Sequence, residues 1–258
     1  MKKKSIRILI MGLPGSGKTF LAKKISKILK ADWLNADQVR GRYNDWDFSF
    51  SGITRQVHRM KNLANNSKKK FVVADFICPI KKQFEIFKPN IIIWMDTIKK
   101  SRYPRINRIF KKPKIYDIRI TSKNADLWKL AILDKVLGYK WGKQLPTVQM
   151  LGRFQPWHQG HRLIFEKAIL KTGQVNIQVK NVWKLGDNPY SFKQVKKKIL
   201  QDLKYFKKRI KITNSPNISE IVYGRKVGYK ITKINLPKKI QKISVTNLRK
   251  KLRKMEKL

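Results

Sequence analysis

The stretch Ile6-Arg7-Ile8-Leu9-Ile10-Met11-Gly12-Leu13-Pro14-Gly15-Ser16-Gly17-Lys18-Thr19 decides the fold of the N-terminal half. Ile6–Met11 is short, β-branched and broken only by Arg7, the pattern of a strand buried on both faces of a parallel sheet. Gly12 to Thr19 then matches G-x-x-x-x-G-K-[ST] in full, and Lys18–Leu29 carries apolar residues at spacings of three and four, as an amphipathic helix does. The glycines let the backbone curl so that successive N–H groups face phosphate oxygens, and the helix start adds its partial positive charge. Gly12, Gly15, Ser16 and Gly17 are therefore expected to cradle a nucleotide. Lys18 is expected to reach the β- and γ-phosphates, and the Thr19 hydroxyl to hold Mg²⁺.

Working outward, Phe71–Ile77 and Ile91–Met95 read as further buried strands, and Gly52–Asn66 and Asp126–Leu137 as helices, the latter stopped by Gly138. Strands alternating with helices imply a helix-covered parallel sheet. Tyr139–Thr147, with Gly142 and Pro146, interrupts the pattern and reads as a joint. A second alternation follows: strands Val148–Leu151 and Val175–Val182, and helices Leu163–Lys171, Phe192–Phe206 and Val245–Lys254. The expectation is two α/β domains, 1–140 and 147–258.

The chain has 258 residues, 41% of them hydrophobic and 10% aromatic, enough for two packed cores. A single cysteine, Cys78, rules out an internal disulfide and fits a reducing compartment. Met1-Lys2-Lys3-Lys4 before Ile6–Met11 superficially resembles a signal peptide. The run flows directly into the glycine loop, however, and no stretch approaches bilayer-spanning length, so a cytoplasmic location without a membrane partner is expected. The net charge of +47 either marks a polyanion partner or reflects lysine filling solvated positions. Its even spread, including Lys68–Lys70 and Lys196–Lys198, favours solvation over nucleic acid while leaving nucleic acid open. Such a field steers anionic substrates toward any cleft.

Two carboxylates end apolar runs: Asp75 after Phe71–Ala74, and Asp96 after Ile91–Met95. Either arrangement delivers an acid to the C-terminal edge of the sheet, where α/β proteins bind ligands. Asp75 is favoured as the Mg²⁺ partner. Asp37 is the candidate to orient an acceptor hydroxyl or take its proton.

Asn35-Ala36-Asp37-Gln38-Val39-Arg40, Phe48-Ser49, the helix around Gln56–Met60, and Phe76-Ile77-Cys78-Pro79 stand where adenylylsulfate kinases carry their G-D-N-x-R, F-S, arginine-rich and F-I-S-P elements. Over roughly residues 5–120 the chain resembles that family. The resemblance implies Mg-ATP-dependent phosphoryl transfer, with Arg40, Arg59 and Phe76 at the acceptor. The family's nucleotide-covering lid is here reduced to Ser101–Pro113, a departure that still leaves Arg102, Arg105 and Arg108 to act on phosphates. The chain departs from the family at Ile53 (arginine there), Gln56 (asparagine), Cys78 (serine) and Asp75 (a small apolar residue), so acceptor identity transfers less safely than fold.

The second half carries Gly152-Arg153-Phe154-Gln155-Pro156-Trp157-His158-Gln159-Gly160-His161 between a strand and a helix. Zinc would need further ligands, and no Cys or His follows position 161. Imidazole N–H groups at a helix start suit an NTP α-phosphate under attack. Gly160 allows close backbone approach. The string resembles the HxGH nucleotidyltransferases, especially the nicotinamide-mononucleotide adenylyltransferase branch. Ile243-Ser244-Val245-Thr246-Asn247-Leu248-Arg249 is similar to that superfamily's I-S-x-T-x-x-R motif. The resemblance implies a Rossmann-like domain with His158, His161 and Arg249 catalytic. Gly152, Arg153, Phe154, Gly160, Ser244 and Thr246 would lie on ATP or CTP, with Asn188 and Arg225 at the acceptor. His58 has no such company and reads as a helix-surface residue.

Together these resemblances imply a bifunctional enzyme acting on small nucleotides and a phosphate-bearing acceptor. One possible setting is sulfate activation and another is cofactor salvage or sugar activation. A nucleic-acid end-processing kinase ranks third. Oligomeric state is not legible.

Overall fold

The computed structural model describes residues 4–222, 224, 225, 228, 230–241 and 245–254. The chain divides into two compact units, Met1–Ile132 and Leu133–Leu258.

The first unit is built on five parallel strands in the order β2-β3-β1-β4-β5. These are β1 Ile6–Gly12, β2 Asp32–Asn35, β3 Phe71–Phe76, β4 Ile91–Met95 and β5 Ile118–Ile120. β1 lies between β3 and β4, and Ile8, Leu9, Ile10 and Met11 are wholly buried. Burying each such side chain contributes about 1.5–3 kcal/mol, so β-branched and aliphatic residues in unbroken succession commit this segment to the sheet centre. Helices α1 Lys18–Leu29, α2 Ala36–Arg42, α3 Phe50–Asn66, α4 Lys81–Phe87 and α5 Pro104–Ile109 connect the strands, and α6 Ala125–Val136 follows β5 and runs across the boundary at Ile132. α3 is capped by Ser49, whose hydroxyl accepts from the Gly52 amide, and His58 is exposed on it. β2, α2, α4, α5 and β5 are elements that apolar periodicity did not delimit, because each has only three to seven residues. Such short pieces are held by neighbours rather than by a repeating pattern.

The second unit carries three parallel strands in sequential order, β6 Val148–Gly152, β7 Val175–Lys180 and β8 Ile210–Ser215. Among the described residues the three strands are joined through α7 and α8 in a β-α-β-α-β succession. α7 spans Gln159–Thr172 and starts four residues before the expected Leu163. The helix expected over Phe192–Phe206 stops at Asp202 as α8. Leu203 turns the chain and Lys204–Arg209 continues as a 3₁₀ helix, which lets Leu203 and Phe206 both enter the core. α9 Lys238–Gln241 and α10 Val245–Lys254 follow.

Within the second unit, 139–147 is held by Gln174, and Arg209 and Lys211 lie over its Tyr139 and Trp141 rings. The buried Gln174 carboxamide accepts from the Tyr139 hydroxyl at 3.0 Å and donates to Gly142 O at 2.8 Å and Thr147 Oγ1 at 2.6 Å. Nearby, Arg209 donates to both Asp134 carboxylate oxygens at 2.6–2.9 Å, a buried ion pair within the same unit. Among the described residues no helix is long and apolar enough to cross a membrane.

Candidate functional site

The phosphate loop follows from backbone geometry. Gly12, Gly15 and Gly17 all have positive φ, and a Cβ on Gly12 would come within 2.5 Å of Met95 O. Only glycine fits there. Gly17 precedes α1 as its capping residue and has no side chain to accept a hydrogen bond, so the first N–H groups of α1 lack the usual side-chain acceptor. Lys18 Nζ folds back to donate to Leu13 O at 2.9 Å, and Thr97 Oγ1 donates to Ser16 O at 2.7 Å. Burial lowers the Lys18 amine to about 8, against the pull of Asp75 and Asp37. Ser16 is wholly buried, and its Oγ has no partner.

Asp75 is the convergence point. Its Oδ2 accepts from Thr19 Oγ1 and Asn35 Nδ2, both at 2.9 Å, and its Oδ1 accepts from Trp33 Nε1 at 2.7 Å. Burial raises its carboxyl, and these three donors and Lys18 oppose the rise. A threonine hydroxyl beside a carboxylate is an oxygen-only donor set that fits a hard cation such as Mg²⁺. Asn35 also accepts from the Gln38 amide at 2.9 Å, capping α2 and so fixing Asp37 in its first turn. Trp33 is a positioning residue that reading for motifs missed, and Asn35, which heads one of those motifs, carries no positioning role in that reading. Their signal is the register, which sets Asn35 opposite Asp75 across β2 and β3.

A cavity of about 920 Å³ opens here, and Gly15, Lys18, Thr19, Asp37, Arg40, Asp75 and Phe76 all line it. Arg40 is mostly enclosed: its Nη1 donates to Asp45 O and Asp47 O at 3.0 and 2.9 Å, and its guanidinium lies over Phe48. Arg59 is elsewhere. It donates to Asp45 Oδ2, stacks on Tyr43, and is not among the residues lining the cavity. Asp96 accepts from Arg119. Of the lid arginines, Arg102 lines the cavity, while Arg105 and Arg108 do not.

In the second unit the two histidines form a reciprocal cap at the start of α7. His158 Nδ1 accepts from the Gly160 amide at 3.0 Å, and His161 Nδ1 accepts from the His158 amide at 3.3 Å. With Nδ1 accepting in both, the proton of each neutral ring sits on Nε2. Their ring centroids are 3.8 Å apart, and His161 also packs on Phe154 and Trp157. Burial, reinforced by His158, lowers His161 to about 3, and burial lowers His158 as well. A Cβ on Gly160 would lie 2.8 Å from the His158 ring.

Arg249 Nη1 donates to Gln155 O at 2.9 Å, which brings α10 to this loop, and the same guanidinium pairs with Asp187. Gly152 and Arg153 line a separate cavity of about 320 Å³ whose lining includes neither histidine. Asn188 is buried and donates to Leu185 O. Thr246 and Arg225 are exposed, and Ser244 lies outside the described residues.

No protein-family model matches the chain, and no curated protein matches its sequence. Among solved structures, it is similar to a cysteine-to-alanine mutant of the Mycobacterium tuberculosis APS kinase CysC, with 20% identity and a TM-score of 0.44, covering 52% of this chain and 98% of that one. The same enzyme in complex with AMPPNP and APS gives 18% identity and a TM-score of 0.47 over the same shares. Shikimate kinase from Acinetobacter baumannii in complex with shikimate gives 17% and 0.39, covering 52% and 93%. Likenesses this distant carry no weight for substrate or reaction, and the functional reading rests on the site's own geometry.

Proposed function

We propose that the first unit is an ATP-dependent kinase. The observation that carries this reading is the Thr19–Asp75 contact of 2.9 Å beside Lys18, in one cavity with Asp37. The loop N–H groups and Lys18 would hold the β- and γ-phosphates. A bound Mg²⁺, with Thr19 and Asp75 as its protein-side oxygens, supplies neutralisation of phosphate charge. An acceptor hydroxyl oxygen attacks the γ-phosphorus, the bond to the bridging oxygen breaks, ADP leaves, and the hydroxyl proton passes toward Asp37. Phosphoryl transfer depends mainly on positioning and charge, so Lys18→Ala is expected to lower ADP formation by about 10³-fold or more while the melting curve is kept. Wild-type turnover in that variant would dismiss the reading.

We further propose nucleotidyl transfer from ATP or CTP for the second unit, supported by the neutral, mutually capped histidines with Nε2–H donors and by Arg249 at the same loop. Two rings held uncharged by burial donate hydrogen bonds without competing for protons. His161→Ala should abolish NTP-dependent pyrophosphate release and leave ADP formation untouched. Loss of both activities, or of neither, counts against two separate chemistries.

A further inference from the structure

Two lysine runs that look alike in the sequence differ in the fold. Lys68–Lys70 lie on the exposed link between α3 and β3, whereas Lys196 and Lys197 stand in a row on α8. Lys193, Lys196, Lys197, Lys204 and Lys207 are all exposed, and together they line a groove of about 560 Å³. Their steps of three, four and seven residues put them on one face of α8 and of the 3₁₀ helix that continues it. The same elements bury Val195, Ile199, Leu203 and Phe206, which fixes the row to the core of the second unit. Lys198, by contrast, is turned onto the Tyr190 ring.

Solvation alone does not account for this row. Residues 193–208 carry seven lysines, against 62 lysines and arginines in the 258 residues of the chain, so the local density is nearly double the average. The one acid in that stretch, Asp202, faces elsewhere: it accepts from Trp157 Nε1 at 2.9 Å and from Arg162 Nη1 at 2.8 Å. Among the described residues no carboxylate pairs with any of the five groove lysines, although lysines on other helices do find acids. Lys24 and Lys129 share Asp126, and Lys81 pairs with Glu85. Like charges three and four positions apart on a helix repel. A face that holds five of them together without an acid is complementary to an extended anion arriving from outside.

The neighbouring rings indicate which anion. Lys196 Nζ lies 5.7 Å from the centroid of the Phe192 ring, and Lys204 Nζ lies 4.9 Å from that of Tyr205; both rings are partly buried. A ring next to a phosphate-holding cation offers a base a stacking partner. Bases in a duplex are already stacked on one another, so such rings favour an unpaired strand. A membrane surface fits less well. Among the described residues no large hydrophobic side chain between 192 and 209 is exposed, which leaves this face nothing to sink among acyl chains.

We propose that this groove binds single-stranded nucleic acid, with its lysines on successive phosphates and the Phe192 and Tyr205 rings beside the bases. The inference is independent of both catalytic readings.

The test titrates the full chain against a fluorescein-labelled uridine homopolymer of about 20 nucleotides and a duplex of equal length, reading anisotropy over a salt series. The duplex carries the denser charge, so a general positive field would favour it. The groove should instead favour the single strand by about tenfold. Log affinity should fall with log salt at a slope of about −3 to −4, the value for five phosphates of a single strand. Lys197→Gln combined with Lys204→Gln should lower affinity about tenfold at fixed salt and make the slope shallower by about 1.4. Lys68→Gln combined with Lys69→Gln removes the same charge elsewhere and should change affinity by about twofold or less. Equal losses in the two double variants would show that net charge, not the groove, does the binding, and would overturn the proposal. Duplex bound as tightly as single strand overturns it too, as does binding to phosphatidylserine vesicles with none to the homopolymer.

Discussion

The two units build their candidate sites on the same device, a turn from a parallel strand into a helix, but with different material. In the first, β1 passes into α1 through three positive-φ glycines, and the backbone itself forms the cradle. Its supporting acid arrives from another strand, since Asp75 is held by Trp33, Asn35 and Thr19. In the second, β6 passes into α7 through side chains that hold one another. His158 and His161 cap reciprocally, and Phe154 and Trp157 pack on His161. A backbone cradle leaves the site open and leans on distant residues for its charge. A side-chain cradle is self-contained but closely packed, and its protonation state is set by burial. Even the arginines differ: Arg40 is turned onto carbonyls, whereas Arg249 is balanced by Asp187.

That contrast can be broken in a definite order. The largest effect should come from Asp134→Ala, which leaves Arg209 buried without its carboxylate. Removing one partner of such a pair costs about 3–5 kcal/mol. Amide exchange should quicken in β7 and β8 while β1 and β3 are unaffected, and equal quickening in both sheets would deny that the units are independently stabilised. Next, Asp75→Asn keeps the shape of the convergence point but removes the charge. ADP formation is expected to fall by about 10²-fold or more, with pyrophosphate release unchanged. A smaller fall would move the acid's role to Asp37.

A third test is acidity. His161 titrates near 3 in the folded chain, against 6.5 as its ordinary value. As pH falls the unfolded chain takes up the proton first. The stability from the neutral ring is therefore complete above about 6.5 and is lost on descent toward 3. The slope is at most about 1.4 kcal/mol per pH unit, so roughly 2–3 kcal/mol should go between pH 6.5 and 4.5 in the second unit. His161→Asn should flatten that slope, and an identical slope in the variant would show that other groups carry it. The smallest effect is Ser49→Ala, which uncaps α3 and should cost about 1 kcal/mol, read as faster exchange in the first turn of α3 alone.

Much of the first unit was legible because its signals are contiguous. The Gly12–Thr19 loop, the buried strands and Asp75 at a strand end can be read from neighbouring residues. The acceptor side was less legible. Arg40 lines the cavity with its Nη1 held by the Asp45 and Asp47 carbonyls, whereas Arg59 is drawn out of it by the Asp45 carboxylate. No spacing rule announces that diversion. In the second unit the histidine pair was visible, but the pairing of Arg249 with Asp187 and the break at Leu203 were not.

By itself, then, the sequence determined the local geometry. It set where glycine must permit positive φ, where a cap begins a helix, and which runs are apolar enough to be buried, because these depend on residues within a few positions of one another. Tertiary structure alone decided which groups converge. Parallel register sets Asn35 beside Asp75 and Ile10 beside Asp75, so that residues up to 56 positions apart share one carboxylate. It also left the Oε1 atoms of Gln56 and Gln83, far apart in sequence, buried without hydrogen-bond partners. Hydrogen bonds and ion pairs are satisfied by whatever the fold brings within about 3 Å, and that distance is set by packing across the chain, not along it.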